Sequence, residues 1–557
     1  MSAATPVLTG LMQHDVPLTI GSLLRRMRTV NATSEVVGYG ATGSTRATFL
    51  EVAERADRLG GALRALGVAE GDRVATLAWN AQEHLEAYVA IPSLGAVLHT
   101  VNLRMTPDQM TYVINHGAAR ILIVHRSLLP LLEAVADGLE TLEHLVLVGP
   151  GPEPGDALAR FTQHDYEEAL AAATPIAAWP DVDDRAGAAL CYTSGTTGNP
   201  KGVLYSHRSS VLHAMAAGMA DTLAVTSGDR VLPIVPMFHA NAWGLPYAAA
   251  LVGASLVFVG HDMSPATISG AIAAERVTIA AGVPTIWMDL LRYAQEHDVD
   301  VSSLRFAPCG GAAVPRALFE GFEQTLGAEI VHAWGMTETS PLGAVARVPD
   351  DVTGEERWSL KLSQGRIAPM VEARLIDDDG AEVPWDGESS GELQVRGPWI
   401  ASGYYLDEQA SADAIDDGWL RTGDIATIDE RGYLRLTDRA KDIIKSGGEW
   451  ISSVELEGEL LAHPAVAEAA VVAAPHERWT ERPLACVVLA PGAEVTPAEL
   501  RTFLAGRVAK WWVPEFFTFI DEVPKTSVGK FDKKVLRARL ADGDLDVAVC
   551  EEAIATA

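Results

Sequence analysis

A run of glycines and small hydroxyl residues carries the strongest chemical signal in this 557-residue sequence. Its order is Tyr192-Thr193-Ser194-Gly195-Thr196-Thr197-Gly198-Asn199-Pro200-Lys201-Gly202. Glycine lets a backbone approach a phosphate chain closely, hydroxyl and amide groups can bind phosphate oxygens, and Lys201 adds positive charge. The run is not a Walker A loop, because Lys201 precedes Gly202 rather than Ser or Thr. It predicts a phosphate-binding loop rather than a flexible linker, since a helix-like pattern follows at 206–216.

Three other segments contain residue types that suit a nucleotide. The first pairs Gly310-Gly311-Ala312 with Trp334-Gly335-Met336-Thr337-Glu338-Thr339, and a base stacked on such an aromatic face gains about 1–3 kcal/mol. The second, Gly418-Trp419-Leu420-Arg421-Thr422-Gly423-Asp424, ends in a carboxylate that can accept two hydrogen bonds from a diol. The third is Pro524-Lys525-Thr526-Ser527-Val528-Gly529-Lys530. Taken alone, Glu338 could be a surface acid, Asp424 a turn residue and Lys530 a solvated charge.

These four segments, in this order, resemble those of the adenylate-forming superfamily, which includes acyl-CoA synthetases, luciferases and the adenylation domains of peptide synthetases. The resemblance covers nearly the whole chain. It differs at Trp334, where the family more often has Tyr. The ATP- and AMP-binding residues that it implies are Thr193, Ser194, Gly195, Thr196, Thr197, Gly198, Lys201, Gly311, Ala333, Trp334, Gly335, Met336, Thr337, Asp424, Arg439, Lys441 and Lys445.

The resemblance also implies individual roles in catalysis. Lys530 is expected to be the catalytic lysine of the adenylation step. Glu338 is expected to bind Mg²⁺ together with the hydroxyl of Ser194, because a hard divalent cation prefers oxygen ligands. Asp424 is expected to accept both ribose hydroxyls, and Arg439 to reach the ribose or a phosphate.

Two further segments refine the expected substrates. Met237-Phe238-His239-Ala240-Asn241-Ala242-Trp243 resembles the acyl site of fatty-acyl-CoA synthetases, in which His239 would orient the acid and Trp243 would gate a tunnel. The residues expected at this acyl site are His239, Ala240, Trp243 and Trp334. A core histidine and a core tryptophan are the alternative interpretation. Lys445-Ser446-Gly447-Gly448-Glu449-Trp450-Ile451-Ser452 resembles a turn that lines the pantetheine tunnel of coenzyme A, and its expected lining residues are Gly447, Gly448 and Trp450.

The expected reaction has two steps. A carboxylate attacks the α-phosphorus of ATP to give an acyl-adenylate and pyrophosphate, and the thiol of coenzyme A then displaces AMP. The co-substrates are therefore ATP, a carboxylic acid and coenzyme A, with Mg²⁺. The alternatives are a luciferase, an aryl-acid ligase, a carrier-protein acylase or an adenylate-binding protein without catalysis, although the last would lack Lys530, Glu338 or Asp424. The resemblance favours fatty acids and leaves chain length open.

The elements that position these motifs form an α/β pattern. A helix is expected at 46–66, and buried strands at 73–78, 120–124, 145–148, 230–235, 255–259 and 277–280, with helices between them. Short antiparallel strands are expected at 391–395, 425–429 and 433–436, then a compact α+β segment with helices at 454–461 and 497–508 and strands at 466–473 and 484–490.

The expected architecture has two domains. The first, 1–438, is a large multi-layer αβ domain that binds AMP and the acyl group, with two main sheets and a small distorted β-barrel. The second, 439–557, is a small mobile α+β domain that carries Lys530. By resemblance, Asp438 and Lys441 mark the hinge between them, with Lys441 as the pivot.

Composition limits the possible partners and compartment. The formal net charge of −31 disfavours non-specific binding to nucleic acid. The four cysteines, Cys191, Cys309, Cys486 and Cys550, form no metal-binding spacing, so buried, reduced thiols of a cytoplasmic protein are expected. No apolar run reaches the length of a spanning helix, and no signal-peptide pattern begins the sequence. A homodimer is expected from the family alone.

Overall fold

The computed structural model describes residues 13, 15–40, 43–193, 199–439, 442–446, 449–476, 478–525 and 531–550. The described strands form four sheets. Three of these sheets are built from strands that begin before residue 440, and the fourth is built from strands that begin after it. Helices and strands alternate through the first 300 residues, so the predicted α/β class is confirmed.

The first two sheets are mainly parallel. The first has the order Ile279–Ala281, Arg230–Pro233, Ser255–Phe258, Glu35–Gly38 and Thr45–Thr48, and only its last pair is antiparallel. The second has the order Thr162–Asp165, His144–Val148, Ile121–His125, Arg73–Leu77, Val97–Thr100, Gly187–Tyr192 and Gly202–Ser206, and again only the last pair is antiparallel. These are the two main sheets that the sequence predicts.

The third and fourth sheets are mainly antiparallel. The third has the order Ala307–Gly310, Ile330–Trp334, Ala344–Val345, Gly365–Ile367, Tyr433–Arg439, Trp419–Ile428, Gly391–Arg396 and Glu372–Ile376, with Ile415–Asp416 beside Trp419–Ile428. In this order the strands form an open sheet, and no pairing among the described strands closes the sheet into a barrel. The fourth has the order Glu449–Ile451, Ile444–Ser446, Thr480–Leu489, Phe516–Phe519 and Ala548–Val549, with Val466–His476 beside Thr480–Leu489.

Right-handed helices cover these sheets. The α-helices are Ile20–Arg28, Phe49–Ala65, Gln82–Ser93, Pro107–His116, Leu129–Glu133, Tyr166–Ala172, His207–Ala217, Leu245–Val252, Pro265–Glu275, Pro284–Glu296, Arg316–Gly321, Gly354–Leu362, Glu408–Ala414, Ser453–Leu461, Pro497–Ala505 and Lys533–Ala541. The 3-10 helices include Thr337–Thr339, which forms the end of the predicted adenine segment. The segment Ala240–Trp243 instead has left-handed backbone angles and is described with the active site.

One predicted boundary is wrong for a local reason. Residues Thr45–Thr48 form a strand, so the helix expected at 46–66 begins only at Phe49. The side chain of Thr48 accepts a hydrogen bond from the backbone of Glu51, and Glu51 bonds back to Thr48. This reciprocal cap fixes the start of the helix. The other predicted strands and helices are present, and most of their ends differ by a few residues, as is usual at element termini. The strand expected at 425–429 is longer, because it begins six residues earlier, at Trp419.

The cores follow the sheets. One large cluster of buried apolar side chains joins the first three sheets, whereas separate clusters lie among residues after 440. Cys191, Cys309 and Cys486 are buried free thiols as expected, whereas Cys550, which directly follows the edge strand Ala548–Val549, is partly exposed. Within the described residues, no helix is long and apolar enough to cross a membrane.

Candidate active site

Two antiparallel strands hold the ends of the predicted phosphate loop together. The strand Gly187–Tyr192 leads into the loop and Gly202–Ser206 leads out of it. The N–H of Thr193 donates to the carbonyl of Lys201 at 2.9 Å, and the N–H of Lys201 donates to Oγ1 of Thr193 at 3.2 Å. The loop residues Ser194, Gly195, Thr196, Thr197 and Gly198 lie outside the described residues. The closed base fits the predicted phosphate-binding loop.

Lys201 and Glu338 both contact the side chain of Tyr404. The ammonium of Lys201 lies 4.7 Å from the ring centroid of Tyr404, a cation–π distance. The hydroxyl of Tyr404 donates to Oε1 of Glu338 at 2.7 Å, and Glu338 is only 6% exposed. Burial and the Glu338 charge raise the pKa of Tyr404, so its hydroxyl stays protonated and can donate. A cation and a buried carboxylate are therefore held beside the loop.

The predicted adenine segments lie at the carboxyl ends of two parallel strands. Ala307–Gly310 and Ile330–Trp334 pair with Gly310 opposite Ala333, so Gly311 and Gly335 leave the same edge of the sheet. Ligands commonly bind at such an edge in α/β proteins. Glycine is required at Gly335, because a Cβ there would lie 1.6 Å from the carbonyl oxygen of Pro341. Met336 and Thr337 follow, and the N–H of Met336 donates to Oγ1 of Thr339 at 2.9 Å.

Trp334 and Asp424 are in direct contact, although 90 residues separate them. The indole Nε1–H of Trp334 donates to Oδ2 of Asp424 at 3.0 Å, and both side chains are buried. The ring of Trp334 covers Gly343, where a Cβ would lie 2.3 Å from Cζ3. Asp424 is also opposite Arg439 in the register of the third sheet. The adenine-stacking role of Trp334 and the ribose-binding roles of Asp424 and Arg439 stay predictions, on residues that this contact brings together.

The predicted acyl segment is anchored to the second sheet. The amide of Asn80 donates to the carbonyls of Pro233 and Val235 at 2.8 and 3.0 Å, and it accepts from the N–H of Met237 at 2.7 Å. Oγ1 of Thr100 donates to the carbonyl of Phe238 at 3.3 Å. These bonds fix the chain that leads to His239, which is half-buried and whose N–H donates to the carbonyl of Pro236. The orienting role of His239 stays a prediction.

A left-handed turn follows His239. Ala240, Asn241, Ala242, Trp243 and Gly244 all have positive φ angles, from 43° to 69°. For each residue other than glycine this conformation costs about 1–2 kcal/mol. Trp243 packs towards the adenine segment, since a Cβ on Gly310 would lie 3.5 Å from its Cη2 atom. The structure therefore brings the predicted acyl and nucleotide residues next to each other.

The buried side chain of His213 packs against Gly244 of this turn. Its Nε2 accepts the N–H of Leu342 at 3.3 Å, and burial lowers its pKa to about 4, so the ring is neutral near pH 7. A Cβ on Gly244 would lie 2.5 Å from its Nδ1 atom. Gly244 therefore has to be glycine both for its φ angle and for the space that His213 occupies.

The predicted residues after 437 are only partly described. Lys441, Gly447, Gly448 and Lys530 lie outside the described residues. The backbones of Asp438 and Arg439 continue the third sheet opposite Ile425 and Asp424, and that of Trp450 pairs with Lys445 in the hairpin of Ile444–Ser446 and Glu449–Ile451. Lys445 is exposed, and its N–H donates to the carboxylate of Glu481 at 2.8 Å.

The ends of the loop that contains Lys530 are held together. Lys525 and Phe531 form an antiparallel bridge, and the N–H of Asp532 donates to the carbonyl of Pro524 at 2.7 Å. The ammonium of Lys525 lies 2.5 Å from the carboxylate of Glu468. The neighbours of the predicted catalytic lysine are thus fixed on the fourth sheet, while its role stays a prediction.

The residue patterns missed three contributors to this site. Tyr404 lies in Gly403-Tyr404-Tyr405, and an aromatic pair after a glycine near other motifs was the available signal. Asn241 lies inside the quoted acyl segment, and Cys191 directly precedes the quoted phosphate-loop run, which begins at Tyr192. Their contacts with residues 50 or more positions away are invisible in the sequence.

The chain belongs to the AMP-binding enzyme family. Residues 26–405 match the domain described as AMP-binding enzyme, and residues 455–530 match the AMP-binding enzyme C-terminal domain. This family is the adenylate-forming superfamily that the sequence motifs indicate, so that prediction is confirmed.

Similar proteins carry related names over nearly their full length. A long-chain-fatty-acid–CoA ligase of Thermus thermophilus is 47% identical over 530 residues, which is 94% of this chain and 96% of that protein. A 3-methylmercaptopropionyl-CoA ligase of Ruegeria lacuscaerulensis is 44% identical, with 94% and 98% covered. A medium-chain-fatty-acid–CoA ligase of Ectopseudomonas oleovorans is 43% identical, with 94% and 96% covered.

A solved structure has the same fold. The anthranilate CoA ligase AuaEII in complex with anthranoyl-AMP superposes with a TM-score of 0.85 at 28% identity, covering 96% of this chain and all of that one. The confirmed fold class thus extends over both the large and the small part of the chain.

Proposed function

We propose that this protein is an ATP-dependent fatty acid–CoA ligase. It activates a carboxylic acid as an acyl-adenylate with release of pyrophosphate, then transfers the acyl group to the thiol of coenzyme A with release of AMP. The ligase names of relatives at 43–47% identity support this assignment. Membership in the AMP-binding enzyme family supports the adenylation step.

One observation in the structure carries the proposal most directly. Lys201 and Glu338 converge on Tyr404 at the base of the loop 194–198. Adenylation brings a carboxylate to a phosphate, and two like unit charges 4 Å apart repel by about 4 kcal/mol at an effective dielectric constant of 20. Fixed positive charge beside the phosphates offsets this repulsion, so catalysis here is mainly positioning and electrostatic stabilisation.

We propose Glu338, with the hydroxyl of Ser194, as the protein ligands of Mg²⁺. Glu338 is a buried carboxylate held by Tyr404, which suits a hard cation. No group of three or more acidic, histidine or cysteine side chains that could hold a metal occurs among the described residues. Mg²⁺ typically binds one or two carboxylates and completes its shell with substrate phosphates and water. The ion would neutralise phosphate charge.

The remaining roles follow from the two expected domains. We propose a boundary at Arg439, hinge residues Asp438 and Lys441, and a C-terminal domain that brings Lys530 to the carboxylate and α-phosphate. Rotation of that domain would then open a path for pantetheine beside Gly447, Gly448 and Trp450. Its separate apolar clusters support a rigid unit that can move. A cytoplasmic location and a homodimer stay predictions.

Product analysis across acids of increasing length tests the proposal. Purified protein is incubated with ATP, Mg²⁺ and one acid from a series of short, medium and long chains, with an aryl acid and 3-methylmercaptopropionate included. We expect acid-dependent pyrophosphate and AMP, and acyl-CoA only when coenzyme A is present. Release of ADP and phosphate, or no acid dependence with any member of the series, would contradict it.

A further inference from the structure

The left-handed turn at 240–244 is an unusual backbone feature at the acyl site. Four of its five residues, Ala240, Asn241, Ala242 and Trp243, are not glycine, yet all have φ between 43° and 57°. Side chains with a Cβ rarely adopt this region, and then mostly as single residues. A run of four persists only when its surroundings fix it. The contacts that fix it should therefore be visible around the turn.

Asn241 supplies those contacts from the centre of the turn. Its side chain is buried, and its Oδ1 atom accepts from Sγ of Cys191 at 3.1 Å. The hydroxyl of Tyr88 lies 3.4 Å from the same oxygen and also donates to the carbonyl of Met237. Burial raises the pKa of Cys191 to about 11, so the thiol keeps its proton and acts as the donor.

The two ends of this link lie at different parts of the site. Cys191 belongs to the strand Gly187–Tyr192, two residues before Thr193 at the base of the phosphate loop. Trp243 lies two residues after Asn241 and packs towards Gly310 of the adenine segment. The hydrogen bond between Cys191 and Asn241 thus joins the strand that enters the phosphate loop to the turn that presents Trp243.

We propose that Asn241 is a positioning residue for the acyl substrate, which ties the strained turn carrying Trp243 to the strand leading into the phosphate loop. The inference rests on the proposed function, because it assumes that the acid binds beside Trp243. Asn241 itself would not contact the reacting atoms. It fixes where the turn, and hence the wall of the acyl site, stands relative to the nucleotide.

A purely local role for Asn241 makes a different prediction. Asparagine tolerates the left-handed region better than most residues, so it could serve only as a backbone-compatible residue. Asn241→Gly separates the two roles, because glycine adopts this conformation freely but has no side-chain amide. Cys191→Ser and Cys191→Ala test the partner, since a serine hydroxyl can still donate to Oδ1 and an alanine methyl cannot.

The test compares full-length wild type with Asn241→Gly, Cys191→Ala and Cys191→Ser by acid-dependent pyrophosphate release over the chain-length series. For Asn241→Gly we expect KM for the preferred acid to rise at least tenfold and the chain-length preference to flatten, with KM for ATP within twofold of wild type. Cys191→Ala should shift the same parameters in the same direction by a smaller factor, and Cys191→Ser should restore them. Thermal unfolding curves confirm that each variant is folded.

Ala224→Gly is the matched control, because it places glycine at a similar φ of 48° outside this turn and removes no polar side chain, and its KM for the acid should stay within twofold of wild type. The inference is overturned if Asn241→Gly keeps the wild-type acid KM and chain-length profile, or if KM for ATP rises by the same factor as KM for the acid. Failure of the proposed function would look different, since the wild-type protein itself would then form no acyl-adenylate from any acid.

Discussion

At the scale of single residues, the site depends on polar pairs held out of water. Glu338 is a buried carboxylate whose Oε1 accepts the hydroxyl of Tyr404, and that tyrosine also lies under the ammonium of Lys201. Burying a carboxylate without hydrogen bonds is strongly unfavourable, so the hydroxyl of Tyr404 stabilises and orients the buried Glu338 side chain. Tyr404 thereby links the cation and the anion that the proposed reaction uses.

Removing only the hydroxyl tests this link. Tyr404→Phe keeps the ring beneath Lys201 but takes away the hydrogen bond to Glu338, and a bond to a charged group is worth about 1.5–3 kcal/mol. We expect kcat for pyrophosphate release to fall about ten- to a hundredfold, with a higher Mg²⁺ requirement, in assays that titrate Mg²⁺ at fixed ATP. The neighbouring Tyr405 packs on His116 instead, so Tyr405→Phe should stay near wild type. Equal effects of the two changes would exclude a special role for Tyr404.

At the scale of secondary-structure elements, features set by neighbouring residues could be predicted from the sequence, whereas contacts between distant residues could not. The strands expected at 230–235 and 255–259 were predicted because apolar runs act over a few residues, and they occur as Arg230–Pro233 and Ser255–Phe258. The contact of Trp334 with Asp424 spans 90 residues, which no local pattern encodes. The left-handed turn was also unpredictable, because Ala and Trp ordinarily avoid that conformation and tertiary contacts impose it.

The turn itself can be tested at Gly244. Gly244→Ala adds a Cβ at φ 69°, 2.5 Å from Nδ1 of a His213 ring that is held by Leu342. Gly260→Ala is the matched control, because its φ of 63° is similar but its Cβ would meet nothing within 4 Å. Overpacking typically costs about 1–3 kcal/mol, so Gly244→Ala should lower the free energy of unfolding by that much more than Gly260→Ala. Chemical denaturation measures the free energy of unfolding of both variants. Equal losses would mean that the His213 ring moves aside at little cost.

At the scale of the whole molecule, the proposed reaction needs two parts of the chain to work in sequence. The large part holds the phosphate loop, Glu338 and Asp424, whereas the expected catalytic lysine lies, in sequence, between the strands Phe516–Phe519 and Ala548–Val549 of the fourth sheet. Lys525 and Phe531, which flank residues 526–530, pair in an antiparallel bridge, and the smaller domain is proposed to bring Lys530 to the large part only for adenylation. Adenylation and thioester formation therefore make different demands on the same residue.

The two half-reactions of Lys530→Ala should separate. Adenylation should slow by about 10²–10³-fold or more, as when a preorganised charge-stabilising group is removed, while thioester formation from supplied acyl-AMP should survive. Pyrophosphate release measures the first step, and acyl-CoA formation from synthetic acyl-AMP measures the second. Lys534→Ala, an exposed lysine on the next helix, is the control and should affect neither. Equal loss in both half-reactions would contradict the assigned role.

Stability of the large part should depend on pH because it buries several neutral histidines. Burial lowers the pKa of five of them from 6.5, to about 3 for His99 and about 4 for His84, His207, His213 and His332. Above pH 6.5 these rings are neutral in both states. As the pH falls from 6.5 towards 4, the unfolded chain takes up protons that the folded protein excludes, so stability is lost.

Other groups change this balance only modestly over the same range. Hydrogen bonds to Arg or Lys partners hold the pKa values of carboxylates such as Asp229 and Glu323 below their ordinary values. The stability that these ion pairs contribute is therefore lost mainly below pH 4.5. Burial raises the pKa values of Glu86 and Glu455, which act in the opposite direction, but among the described residues these are two groups against five. Neutralising the acidic surface relieves repulsion, and high salt suppresses that contribution.

Urea unfolding at pH 7, 6 and 5 in constant high salt should therefore show a steadily falling free energy of unfolding. Each histidine contributes up to about 1.4 kcal/mol per pH unit in the window between its two pKa values. His99→Leu supplies the control, because both ring nitrogens of His99 lack a hydrogen-bond partner among the described atoms and no polar contact is broken. In the variant, the slope of the free energy of unfolding against pH should correspond to about one proton fewer than in wild type. Its free energy of unfolding should therefore fall less between pH 7 and pH 5. A slope equal to that of wild type would mean that His99 is protonated in the folded protein, or that solvent reaches it.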